Sequence, residues 1–73
     1  MTEERYRRIG AKIKYYRQMK GFSQSELADI AGISPQYLSK IECGRQTPSI
    51  PVLLLLAEKL VVDASCLLSS RDM

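Results

Sequence analysis

The chain has 73 residues, of which 45% are hydrophobic and 26% are charged, so it is long enough for one small domain and too short for a second. This balance is typical of a folded globular chain and argues against global disorder. Histidine is absent, which excludes histidine-based metal sites, catalytic triads and general bases. No glycine-rich phosphate loop is present either. We therefore expect a single domain over residues 1–73 that is not an enzyme and uses no metal or other cofactor.

The cysteines and the apolar runs indicate where the protein acts. Cys43 and Cys66 form no CxxC pair and are too few for a disulfide framework or a four-thiolate zinc site. They favour a reducing, cytoplasmic setting. The longest apolar run, residues 52–57, is far below the roughly 20 residues that a membrane helix requires. The sequence thus predicts a cytoplasmic protein with no membrane association.

The net charge of +3 is unevenly distributed along the chain. Residues 1–20 carry seven Lys or Arg against two acids, whereas the remainder carries four against six. This asymmetry permits a polyanionic partner. From charge alone, a solvated helix face explains it equally well.

Apolar spacing and capping residues predict five helices and no strand. Helix one is expected over residues 4–20, ending at Gly21, where a left-handed conformation is available. Its apolar stripe consists of Ile9, Ile13 and Tyr16. Three basic residues are expected largely outside that stripe: Arg8, Lys12 and Lys14.

Helices two and three are marked by their first residues. Ser23 and Glu26 form a capping-box pattern at the start of helix two. Ser34 precedes helix three, Pro35 takes its first position and Gly44 stops it. Buried positions are expected at Leu27, Ala28, Ala31, Leu38 and Ile41. Exposed positions are expected at Gln36, Tyr37, Ser39, Lys40 and Cys43.

Helix four is expected after the cap Ser49 and extends to about Val61, with Pro51 tolerated in its first turn. Helix five follows Asp63 and ends near residue 69. The core-facing positions of helix four are Leu53, Leu56, Ala57 and Leu60. Residues 70–73 are expected to be frayed.

The most informative segment extends from Phe22 to Gly44. Two short helices and a tight, glycine-containing connection form a helix-turn-helix pattern over about residues 23–43. In this motif the second helix enters the major groove of DNA, which is about 12 Å wide and admits one helix. That helix must be short, braced from behind and polar outside. Gln36 and Lys40, four residues apart, meet the last requirement.

A joint pattern of short segments covers most of the chain, from about residue 9 to residue 68. Its main segments are GFSQSELA (21–28), GIS (32–34), YLSKIE (37–42), GR (44–45) and PS (48–49). It resembles the lambda-repressor/Cro-type family of regulators, also called the XRE family. The resemblance implies an all-α, compact five-helix DNA-binding domain that is dimeric on a palindromic operator.

The resemblance also implies roles for single residues. Those at base-contacting positions are Pro35, Gln36, Tyr37 and Lys40. Those at phosphate-contacting positions are Ser23, Gln24, Ser34, Ser39 and Arg45. Arg17 and Glu42 match a structural salt bridge of many relatives. An exposed polar helix face is the alternative for the base-contacting set, and Arg5, Arg8 or Lys12 could add backbone contacts.

Three residues depart from the family pattern. Cys43 replaces a polar residue, Leu55 stands where relatives tend to be polar, and Val61 stands where they usually have glycine. Val61 suggests either a different helix ending or an exposed apolar contact. We expect a two-fold dimer interface that includes Val52, Leu55, Lys59, Val61 and Val62. The alternative is that the apolar residues of this group pack as a second core contact.

These observations predict a sequence-specific, double-stranded DNA-binding transcriptional regulator. It would be a repressor or controller protein that binds as a homodimer through the recognition helix 35–43. The alternative is a protein-interaction module, such as an antitoxin or adaptor, that holds a partner protein through helices four and five.

Overall fold

The computed structural model describes residues 2–68, with side chains described from Glu4 onward. Within this range the chain forms five helices and no strand, so the predicted all-α class is confirmed. The helices are α1 (Thr2–Met19), α2 (Gln24–Ala31), α3 (Pro35–Glu42), α4 (Ile50–Leu60) and α5 (Ala64–Leu68). The predicted frayed segment, residues 70–73, lies outside the described residues.

Serine side chains fix where three of the helices begin. The Ser23 hydroxyl accepts a hydrogen bond from the Glu26 N–H at 3.0 Å, and the Glu26 carboxylate accepts one from the Ser23 N–H at 2.8 Å. This is the reciprocal capping box that the sequence predicts. Ser34 and Ser49 cap α3 and α4 through the N–H three residues later. The start of the helix-turn-helix is therefore set by local chemistry.

One apolar core joins the helices. The buried apolar side chains are Ile9, Ile13, Leu27, Ala28, Ala31, Leu38, Ile41, Leu53, Leu56, Ala57, Leu60 and Leu67. Helix α3 lies against α1 and α2, while α4 packs on α2, α5 and α1. The core therefore lies directly behind α3 and holds it from two sides.

Gly10 allows α1 to approach the end of α3 closely. A Cβ at this position would overlap the Ile41 carbonyl oxygen and lie 2.9 Å from the Glu42 carbonyl oxygen. Any larger residue would push the two helices apart, because backbone atoms cannot yield as a side chain does. Gly10 thus helps to set the position of α3 against α1.

Lys12 corrects one prediction about α1. It was expected largely outside the apolar stripe, but only 8% of the residue is exposed. The reason is its spacing: Ile9 is three residues before it and Tyr16 four after it, so all three share one side of the helix. Arg8 and Lys14 are exposed, as predicted. The burial of Lys12 removes it from the set of candidate DNA contacts.

The end of α4 is backbone-strained at Val61. This residue caps the helix with φ 58° and ψ 49°, a left-handed conformation that a β-branched side chain rarely adopts. The expectation of a different helix ending is therefore wrong, because valine takes the conformation that favours glycine. Val61 is 77% exposed, as the other expectation requires, and an apolar contact through it stays a prediction.

We expect Val61→Gly to raise the free energy of unfolding by about 1 kcal/mol, because left-handed strain is relieved and little burial is lost. Urea unfolding monitored by circular dichroism measures the change. Val61→Ala is the matched control: it shortens the side chain but keeps the Cβ, so a smaller gain is expected. A Val61→Gly variant less stable than the parent chain would contradict the assignment of strain.

Candidate nucleic-acid interface

Helix α3 has one polar side and one buried side. Pro35, Gln36 and Lys40 are exposed, whereas Leu38 and Ile41 are fully buried. Gln36 and Lys40 are one helical turn apart and therefore lie on the same side of the helix. Eight residues at 1.5 Å per residue make a rod of about 12 Å, short enough to enter a DNA groove at an angle.

A buried ion pair ties the end of α3 to α1. Arg17 Nε donates to Glu42 Oε2 at 2.7 Å, and Arg17 Nη2 donates to Glu42 Oε1 at 3.1 Å. The guanidinium and the carboxylate thus meet through two parallel hydrogen bonds. Only 9% of the Arg17 side chain and 2% of the Glu42 side chain are exposed. The pair that the resemblance implies is present, and it is part of the architecture.

Two further hydrogen bonds extend this ion pair to α2. Arg17 Nη1 donates to the Phe22 carbonyl oxygen at 2.9 Å, just before the cap of α2. Gln24 Nε2, in the first turn of α2, donates to Glu42 Oε1 at 3.0 Å. The carboxylate of Glu42 therefore joins α1, α2 and α3. Gln24, which the resemblance places among the phosphate-contacting positions, thus also supports α3 through Glu42.

Tyr37 and Ser39 lie deeper than predicted. Both were expected outside, but both are half-buried. Tyr37 packs against the core, and its hydroxyl accepts a hydrogen bond from the Ser49 N–H at 3.4 Å. Tyr37 is partly covered because its side chain packs against the core and its hydroxyl reaches Ser49, the cap of α4. Only the remaining part of Tyr37 is available to a base.

The other phosphate-contacting candidates lie at the edges of α3 and at the start of α2. Ser23, Ser34 and Arg45 are exposed, and Gln24 is half-buried. The hydroxyl oxygens of Ser23 and Ser34 accept the cap hydrogen bonds. Each hydroxyl hydrogen can still be donated to another acceptor. Capping and phosphate binding are therefore compatible at both positions.

The exposed apolar surface of α4 differs from the one predicted. Val52, Leu55 and Val62 were expected in an exposed dimer interface, but they are half-buried against the core, in agreement with the alternative of a second core contact. Lys59 is half-buried as well. The reason is that α4 contacts three helices, so more than one stripe of it is covered. The exposed apolar residues of this region are Ile50, Leu54, Val61 and Leu68.

Within residues 2–68, no helix is both long enough and apolar enough to cross a membrane. The same residues bring together no group of three or more Cys, Asp or Glu side chains that could hold a metal ion.

The helix-turn-helix is also found by comparison with known proteins. Residues 13–65 match the model of the HTH_3 family, which is described as Helix-turn-helix. The chain belongs to this family. The resemblance to lambda-repressor/Cro-type regulators is thereby confirmed.

Three matches show how far the likeness extends. The HTH-type transcriptional regulator SinR of Bacillus licheniformis is 48% identical over 65 residues, which cover 88% of this chain and 59% of SinR. The crystal structure of SinR, the master regulator for biofilm formation, in complex with DNA matches with a TM-score of 0.80 and 47% identity. That match covers 84% of this chain and 98% of the other.

The third match is the complex of SinR with the SinI protein. Its TM-score is 0.82 at 46% identity, and it covers 85% of this chain and 61% of the other. The chain thus spans somewhat more than half the length of the SinR relative, at 59%. The matched part includes the whole helix-turn-helix.

Proposed function

We propose that this chain is a transcriptional regulator that binds double-stranded DNA sequence-specifically, with α3 in the major groove. The observation that carries the proposal is the geometry of α3. It exposes Gln36 and Lys40 one turn apart, while the core and the Arg17–Glu42 pair fix it from behind. Family membership and the likeness to a DNA-bound SinR support it. Such a regulator acts in the cytoplasm, where bacterial relatives meet their DNA.

The side chains of α3 suggest how sequence would be recognised. Gln36 can make two hydrogen bonds to adenine N6 and N7, and Lys40 can donate to guanine O6 and N7. Pro35 offers only apolar contact, which suits a thymine methyl group. Tyr37 contributes the exposed part of its ring.

Phosphate contacts would fix the register of the protein on the duplex. The candidates are Ser23, Gln24, Ser34, Ser39 and Arg45. The first N–H groups of α2 and α3 point out of positive helix ends, which favour an anion. These contacts supply affinity, whereas Gln36 and Lys40 supply discrimination.

The regulator would act as a homodimer on a palindromic operator, as a repressor or controller protein. Two-fold symmetry would place two copies of α3 about 34 Å apart, one turn of DNA. Val61 is the most exposed of the predicted interface residues, and Ile50 and Leu54 extend its apolar surface. The half-buried Val52, Leu55, Lys59 and Val62 would contribute their exposed edges.

Titration of labelled duplexes at several salt concentrations tests the proposal. We expect binding whose log affinity falls linearly with log salt, by about 0.9 per phosphate contacted. A selected duplex should bind more tightly than its scrambled counterpart at every salt concentration. An absence of duplex binding at low salt, for any sequence offered, would refute the function.

A second candidate function is that of a protein-interaction module. The apolar surface of Ile50, Leu54, Val61 and Leu68 favours it, since exposed groups of this kind often mark interfaces. SinR itself is known in a complex with a second protein. Stoichiometric co-purification of a partner that Leu54→Asp abolishes would support this role, and it is compatible with DNA binding.

A further inference from the structure

A basic cleft lies where the first turns of α1 meet the turn after α3. Its volume is about 630 Å³, and its lining residues are Tyr6, Arg7, Cys43, Gly44 and Arg45. Both arginines are exposed, and neither is paired with a carboxylate among the residues that the structure describes. Two guanidinium groups at one cleft repel each other, and an anion placed between them removes that repulsion.

The position of Arg7 in this cleft is set by Gly44. This glycine has φ +77°, and a Cβ on it would lie 2.6 Å from Arg7 Cγ and 3.0 Å from Arg7 Cα. The stem of Arg7 therefore lies directly over the turn that ends α3. A bare backbone at this turn brings Arg7 of α1 beside Arg45.

We infer that this cleft binds one phosphodiester group of the DNA backbone, held by Arg7 and Arg45, with the Tyr6 hydroxyl as a further donor. The inference rests on the proposed function. The planar fork of arginine matches the oxygens of a phosphate. The cleft begins at Cys43, the residue after α3, so its phosphate would flank the bases that α3 contacts. Its open shape suits a continuous strand better than an enclosed small ligand.

The double variant Arg7→Gln/Arg45→Gln tests the site by its salt dependence. Because two phosphate-directed charges are lost, the slope of log affinity against log salt should become shallower by about 2. The ratio of affinities for selected and scrambled duplexes should remain unchanged. Thermal unfolding verifies that the variant is folded, and glutamine retains much of the stem that packs on Gly44.

Lys14→Gln is the matched control for the loss of charge. Lys14 is exposed on the same helix as Arg7 and is not among the lining residues of the cleft. We expect the slope of log affinity against log salt to change much less in this control variant than in Arg7→Gln alone. An equal change in the two single variants would show that only net charge matters, and would overturn the inference.

Alkylation of the two cysteines by iodoacetamide gives a second readout. Cys43 is exposed in the cleft, whereas Cys66 is half-buried on α5 and serves as an internal control. Bound duplex should slow the modification of Cys43 relative to Cys66. The same reaction with inorganic phosphate in place of duplex, at matched ionic strength, shows whether the cleft binds a free phosphate ion or a DNA phosphodiester. Protection by inorganic phosphate without protection by duplex, or protection by neither, would overturn the inference.

The outcomes also separate this site from the proposed function. If the parent chain binds no duplex, the proposed function is refuted, and so is the assignment of the cleft as a phosphate site. If the parent chain discriminates between duplexes but the double variant keeps the parental salt slope, only the phosphate site is refuted.

Discussion

Replacement of both Gln36 and Lys40 by alanine is expected to remove most of the discrimination between a selected duplex and its scrambled counterpart. Each bidentate base contact contributes about 1–3 kcal/mol of discrimination, so the double variant should lose about 2–6 kcal/mol of it. The measurement is a pair of fluorescence-anisotropy titrations at one salt concentration. Both side chains are exposed, so the free energy of unfolding should change by less than about 0.5 kcal/mol.

Lys14 and Gln18 provide a control that matches this variant in composition and spacing. They are also four residues apart and exposed, but on α1. Their double alanine variant loses the same charge and the same amide, and it should retain the discrimination of the parent chain. If the α3 variant discriminated as well as the α1 variant, the base-contacting surface would lie elsewhere.

Arg17→Met is expected to have the largest effect on stability. It leaves the Glu42 carboxylate buried without its cationic partner, and breaking a buried pair in this way costs about 3–5 kcal/mol. Domains are stable by only about 5–15 kcal/mol, and small domains lie low in that range. Urea unfolding should therefore show a much lower midpoint, with part of the chain unfolded in buffer.

The double variant Arg17→Met/Glu42→Leu separates the loss of an ion pair from the loss of packing. When both charges are removed, no buried charge is left unpaired, so most of the lost stability should return. Gln24 is half-buried and can turn its amide to water once Glu42 is gone. An Arg17→Met variant as stable as the parent chain would show that the Arg17–Glu42 ion pair does not hold α3 to α1.

The local signals in the sequence predict the helix-turn-helix well because they act over three or four residues. Ser23, Ser34 and Ser49 cap the helices that they were expected to cap. The ion pair of Arg17 and Glu42 could be predicted from the family resemblance, although the two residues are far apart in sequence. Local chemistry and a shared fold thus place α3 and most of its support.

The features that depend on how helices meet could not be predicted from periodicity. Leu55 is covered because neighbouring helices contact more than one stripe of α4, whereas the burial of Lys12 follows from its spacing to Ile9 and Tyr16. Gly10 carries no turn signal, since its role is a close approach to the carbonyl oxygens of α3. In the sequence, Arg7 is one of seven basic residues within the first 20 positions, and only its close contact with the Gly44 turn distinguishes it from the others.

The placement of α3 in the major groove is tested most directly by methylation interference. Dimethyl sulfate methylates guanine N7, which lies in the major groove, and adenine N3, which lies in the minor groove. Methylated guanines within each half-site should block binding of the parent chain, and Lys40→Ala should lose this sensitivity at one guanine per half-site. Binding that tolerates methylated guanine N7 but is blocked by methylated adenine N3 would contradict the placement of α3 in the major groove.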